Sequence, residues 1–209
     1  DVGAIVLVGT YHAFNVVPLA WGPARDRIFA VAGGYKYAQF GEGLCWMRVP
    51  AGCELRPVYT GWFADFGALA GQQAGRVAYA PGGARFAGAT FDPSSIYRAE
   101  AALAHFDRFG LSPERLRAIS LRQTRRILDR LDARGRGGDV LTAREDARRG
   151  GFVAVRVSDA AARVRRLRER GVVVDARGDT LRMGPAPYLT DEEIDRSADA
   201  MLDDLATSP

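Results

Sequence analysis

The chain has 209 residues, 47% of them hydrophobic and 26% charged, enough for one large or two small domains with real cores. A mean hydropathy of −0.13 and the lack of any apolar run near the ~18 residues of a membrane span argue against a membrane-spanning helix. The net charge is +4, but arginines alternate with acids in RRLRERG (165–171) and LTAREDARRG (141–150). That is the pattern of solvated helix faces and argues against nucleic-acid binding.

In chain order, DVGAIVLVGTYH opens with an acid and has no basic n-region, so it does not read as a signal peptide. The chain begins without Met, which suits a processed subunit or a piece of something longer. Residues 3–8 (GAIVLV), 28–32 (IFAVA) and 44–49 (LCWMRV) are compact apolar runs that predict buried strands. Residues 55–93 are dense in Gly, Pro and aromatics and predict long connecting loops with one short helix. Ser94 or Ser95 is expected to cap a helix that ends at Gly110. Ser112-Pro113 predicts a second, continuing to about Asp132.

The last part of the chain has another rhythm. FVAVRV (152–157) alternates as a strand, Asp159 opens a helix that Gly171 closes, and VVVDAR and TLRMG are two short strands. Thr190 then caps DEEIDRSADAMLDDLA, giving a small α+β domain. The boundary is placed in the Gly- and Arg-rich stretch near 134–150, dividing the chain into 1–133 and 134–209. Cys45 and Cys53 form no CxxC pair and only two histidines are present. This predicts neither a zinc site nor a disulfide and suits a reducing cytoplasm.

Lys36, in GGYKYAQFGEG (33–43), is the only lysine among the 29 basic residues. A surface charge does not require lysine over arginine, but arginine keeps its proton, whereas a lysine amine can attack a carbonyl and form a Schiff base. Two readings stand: a solvent-facing leftover, or a covalent carbonyl site. The second is favoured because Lys36 follows the carboxyl end of a buried strand, where open α/β sheets place ligands. Glycines 33, 34, 41 and 43 would let the backbone pass close to a bound group, and Tyr35 and Tyr37 offer hydroxyls. Pyridoxal phosphate is the carbonyl cofactor these residues suit.

GGYKYAQFGEG resembles the lysine segment of the class V aminotransferase group of fold-type-I pyridoxal-phosphate enzymes, and within it the kynureninases. TYHAFNVVPL (10–19), TGWFADF (60–66), FAGATFDPSS (86–95), RGGFVAVRV (149–157) and GVVVDARGDTLRMGPAPYLT (171–190) resemble further segments in the family's order. The resemblance implies an α/β fold: late strands of the large domain, with a mainly parallel sheet, followed by the small α+β C-terminal domain. It further implies that Lys36 carries the cofactor as a Schiff base and Tyr35 bonds its phosphate. His12 would lie near the ring, Trp62 in the kynureninase-like aromatic stretch, and Thr90 near the phosphate. Arg182 would grip the α-carboxylate of an amino-acid substrate, while Arg177 reads as structural. Plainer roles stand beside these: a loop histidine, interface packing for Trp62, a cap or turn for Thr90 and a salt bridge for Arg182.

Two departures from the family matter. Gly9 stands where the family places an aspartate that pairs with the pyridine nitrogen, which leaves a catalytically degenerate scaffold or regulatory subunit as the alternative to a working enzyme. Thr90 and Phe91 replace the Ser-Asn pair that kynureninases offer to their aryl substrate, so an aminotransferase, epimerase or lyase of the group stands beside a kynureninase-like hydrolase. The resemblance covers only the C-terminal half of the family. It therefore implies an uncovered sheet edge and either a homodimer or an assembly with a chain supplying the N-terminal half.

Overall fold

A computed structural model describes residues 3–71, 75 and 77–207. The chain forms two compact units, Asp1–Phe14 with Leu19–Phe106, and Asn15–Pro18 with Asp107–Pro209. The division falls earlier than the stretch near 134–150 because the helix α2 (Pro113–Ala133) packs into the second unit. Its Ile127, Leu128 and Leu131 join the C-terminal core.

The first unit holds the strands β1 (Val6–Gly9), β2 (Ile28–Gly33) and β3 (Cys45–Arg48) in the order β1-β2-β3. β1 and β2 run parallel, with Val6 opposite Ile28 and Gly9 opposite Val31, while β3 returns antiparallel to β2. β2 is the buried strand expected, with Ala30 and Ala32 fully buried. β1 differs from expectation: Ile5, just before it, and Leu7 within it are 58% and 65% exposed. It is an edge that pairs only with β2 among the described residues, so its apolar side chains lack the layer they are composed to meet. Among the described residues of 55–93 there are two short 3-10 stretches, Trp62–Ala68 and Gly82–Phe86. α1 (Ser94–Arg108) follows. Its first N–H is taken by Asp92, whose Oδ1 accepts from Ser94 N at 2.9 Å, so Asp92 does the capping expected of Ser94 or Ser95.

In the second unit, Ser112 accepts from Arg115 N and Pro113 takes the first helical position of α2. β4 (Val153–Arg156), α3 (Ala160–Glu169), β5 (Asp175–Arg177), β6 (Thr180–Met183) and α4 (Asp191–Ala206) follow in the predicted order. Asp159 precedes α3 but makes no side-chain cap; it sits in the left-handed region at φ 51°. Thr190 and Glu193 form a reciprocal capping box on α4. The sheet order is β4-β6-β5, antiparallel throughout. Alternation on β6 sends Leu181 and Met183 into the core and leaves Arg182 on the opposite face. Val153, Val155, Leu167 and Met201, all fully buried, complete that core with α2, α3 and α4.

Candidate functional site

Lys36 lies just past the carboxyl end of β2, in the turn that leads back to β3. The turn is closed by main-chain bonds from Gly34 N to Leu44 O and from Phe40 N to Gly34 O, both 2.8 Å. Beneath it Ala38, Phe40 and Ala99 form a small core with Phe14, Leu44 and Ala102. Arg98 of α1 anchors the far side of the loop: its Nε donates to Phe40 O at 2.6 Å and its terminal nitrogen to Glu42 O. The loop passes directly over this guanidinium at Gly41, where φ is +72° and a Cβ would come within 2.8 Å of Arg98 Nε. No sequence motif marks Arg98; only its place on α1 reveals it.

The glycines serve the chain's own aromatics. A Cβ at Gly33 would run into the Tyr35 ring and approach Tyr11 to 3.1 Å, and one at Gly34 would meet Phe40 at 2.5 Å. The close approach expected at these two glycines is therefore taken by side chains of the loop itself. The Tyr11 and Tyr35 rings lie 6.1 Å apart, and the Lys36 amine 5.5 Å from the Tyr35 centroid. Partial burial, and next the neighbouring Tyr11, push the Tyr35 phenol up from its ordinary value. Tyr35 is thus a neutral hydrogen-bond donor at physiological pH, still 39% exposed.

His12 sits in the turn after β1, next to Tyr11. Gly9 ends β1 beside Val31 of β2, and among the described residues nothing lies within 4 Å of where its Cβ would be. The Trp62 and Thr90 stretches meet: Phe63 N donates to Gly88 O at 3.3 Å. Trp62 is 51% exposed and stacks edge-on against Phe63 at 4.6 Å, while Thr90 is an exposed loop residue before α1. Arg182 belongs to the second unit. Its guanidinium forks onto Asp175 across the β5–β6 pair, Nε to Oδ1 at 2.7 Å and the terminal nitrogen to Oδ2. It also lies 5.5 Å from the Phe152 ring. Both cysteines are free, and no cluster of three or more metal-ligating side chains occurs among the described residues.

Residues 116–201 match the kynureninase C-terminal domain. Among solved structures, a cystine C-S lyase in complex with its product cysteine persulfide superposes with a TM-score of 0.70 at 21% identity, over 91% of this chain and 50% of that one. A cysteine desulfurase from Thermococcus onnurineus NA1 gives 0.70 at 16% identity over 97% and 53%. An alanine–glyoxylate aminotransferase from Nostoc sp. gives 0.61 at 17% over 96% and 54%. The chain has the fold of the C-terminal half of a fold-type-I pyridoxal-phosphate enzyme. It spans about half the length of the solved structures it matches. Comparison with curated proteins finds no match. Within this fold β1 and β2 place Gly9 and the Lys36 loop at the same, carboxyl end of a parallel pair.

Proposed function

We propose that this chain is the lysine-bearing half of a pyridoxal-phosphate-dependent enzyme acting on an α-amino acid, of the kynureninase-like or class V aminotransferase type. The observation that carries the reading is the single lysine of the chain, placed past the carboxyl end of β2 in a fold-type-I half. Relatives by fold point the same way: a variant of the cystine lyase is described with glycine covalently linked to its pyridoxal-phosphate cofactor.

The residues present fit such a group. The Lys36 amine is partly exposed, the Tyr35 phenol beside it is a neutral donor, and the space at Gly9 is open. Lys36 would hold the cofactor covalently through its amine, with Tyr35 and Thr90 donating to its phosphate oxygens and His12 near its ring. When bound, pyridoxal phosphate supplies an electron sink for the substrate α-carbon. With the group bound, Lys36 would be the amine available to take the α-proton. Arg182 can grip an α-carboxylate by the same two-pronged geometry it uses on Asp175, so substrate binds there in competition with Asp175.

A second reading, a scaffold without turnover, rests on Gly9. No carboxylate extends from this position, and no side chain among the described residues comes within 4 Å of its Cβ site, so the chain offers no acid there that would hold a proton on the ring nitrogen. Titration of the purified protein with pyridoxal phosphate separates the two. A visible absorption band that is lost in Lys36→Ala is expected, and no band would end the proposal. Product formation from kynurenine, and its change in Gly9→Asp, then distinguishes a hydrolase from a silent cofactor binder.

A further inference from the structure

Tyr11 has no role in the motifs above, yet the structure holds it firmly. Thr10, before it, is 3% exposed. The Thr10 N–H and hydroxyl both donate to Val31 O, at 2.8 and 3.0 Å, and its carbonyl accepts from Ala13 N and Phe14 N at 3.0 and 2.8 Å. The turn carrying Tyr11 is thereby clamped to the middle of β2. From that clamp the Tyr11 ring reaches Tyr35 at 6.1 Å and 49°, within the tilted geometries aromatic pairs prefer. Both rings close over the bare backbone of Gly33, where any Cβ would collide with Tyr35 and crowd Tyr11. Tyr35 is confined between a neighbouring ring and a glycine, and the Lys36 amine lies 5.5 Å from its centroid.

We propose that Tyr11 is a positioning residue for Lys36: by fixing the Tyr35 ring against Gly33 it sets the aromatic surface on which the Lys36 ammonium rests. A cation on such a face is favoured by about two- to fivefold at a solvent-accessible site. The benefit requires the ring to stay put, and Tyr11 keeps it there. The chain then presents its one lysine amine at a defined place, not along a free four-carbon stem. The use of this arrangement rests on the carbonyl-site reading of Lys36; the arrangement itself does not.

The test needs no pyridoxal phosphate. The purified protein is treated with limiting acetic anhydride, and acetylation of Lys36 is followed by mass spectrometry of the tryptic peptide 28–48, which forms only when Lys36 is blocked. Tyr11→Ala is expected to raise the initial rate about two- to fivefold, while Tyr11→Phe, which keeps the ring, restores the wild-type rate. Tyr35→Ala should raise it equally, and adding Tyr11→Ala to Tyr35→Ala should raise it no further. If Tyr11→Ala fails to fold, Tyr11→Leu against Tyr11→Phe carries the same comparison. A wild-type rate in Tyr11→Ala (or in Tyr11→Leu), a Tyr11→Phe rate equal to that of the ring-less variant, or additive effects in the double variant would overturn the proposal. Failure to bind pyridoxal phosphate would leave these rates unchanged, and a negative result here would leave cofactor binding untouched.

Discussion

Replacing Asp195 by Asn is the sharpest probe of what the abundant arginines do. Along α2 and its C-terminal cap, Arg122, Arg126, Arg130 and Arg134 recur every four residues; on α4, Asp191, Asp195, Asp199 and Asp203 do the same, and the two rows meet rung by rung. Asp195 is the central rung. It accepts Arg126 Nε and a terminal nitrogen at 2.5 Å each, and Arg130 Nε at 2.9 Å. Its side chain is only 17% exposed, so solvent screens it less than the outer rungs. Asn keeps the shape but removes the charge and turns an NH2 toward guanidinium donors. Arg126 and Arg130 retain Asp191 and Asp199 as partners, which holds the cost to about 2 kcal/mol. For a compact unit of about 100 residues that is a fall in Tm of roughly 8–16 °C. Asp203→Asn, an outer rung at 3.8 Å and 55% exposed, should cost under about 0.5 kcal/mol.

The assay is thermal unfolding at neutral pH and again across the acid range. Hydrogen bonds from Arg126, then Arg130, hold the Asp195 carboxyl well below the usual carboxylate range in the folded protein. Its stabilisation is therefore complete above the unfolded value of about 4 and is lost as pH falls below it toward the folded value. Wild type and Asp195→Asn should converge as the pH drops under about 4. Equal effects of Asp195→Asn and Asp203→Asn, or a difference between wild type and Asp195→Asn that persists unchanged into strong acid, would refute this account of the ladder.

Asp204→Ala should destabilise by about 3–5 kcal/mol in denaturant unfolding, because it strands Arg163, which is 3% exposed and bonded to Asp204 Oδ2 at 2.8 Å. Thr190→Ala removes half of the α4 capping box and should cost about 1 kcal/mol by the same measurement. Asp175→Asn weakens the competitor for the Arg182 guanidinium. Under the proposed function it should tighten binding of an α-amino acid by about two- to fivefold, read by titration of the amino acid against the protein loaded with pyridoxal phosphate. Lys36→Arg keeps the charge and should abolish carbonyl capture outright, since arginine does not release its proton.

The second unit was legible because its signals are local. Ser112-Pro113 and Thr190 with Glu193 mark helix starts by side chain-to-backbone chemistry within one turn, and the apolar periods of α2 and β4 match the faces they bury. The apolar run of β1 records only what that strand is composed to pack against, so its exposed Ile5 and Leu7 could not be foreseen from composition. The arginine row of α2 and the aspartate row of α4 are visible in sequence as equal spacings, but which rows meet is a tertiary fact. At the site, Lys36 stood out through its chemistry alone. The parts that hold its loop, Arg98 on the carbonyls of Phe40 and Glu42 and the Tyr35 ring on Gly33, lie in side-chain geometry that carries no motif.

The proposed role of Lys36 as a carbonyl-capturing amine is open to a direct chemical test: borohydride reduction of the protein with pyridoxal phosphate, followed by mass analysis of the peptide 28–48. The reduced pyridoxyl adduct is expected on Lys36 and absent in Lys36→Arg. An adduct confined to other amines, or equal labelling in both proteins, would contradict it.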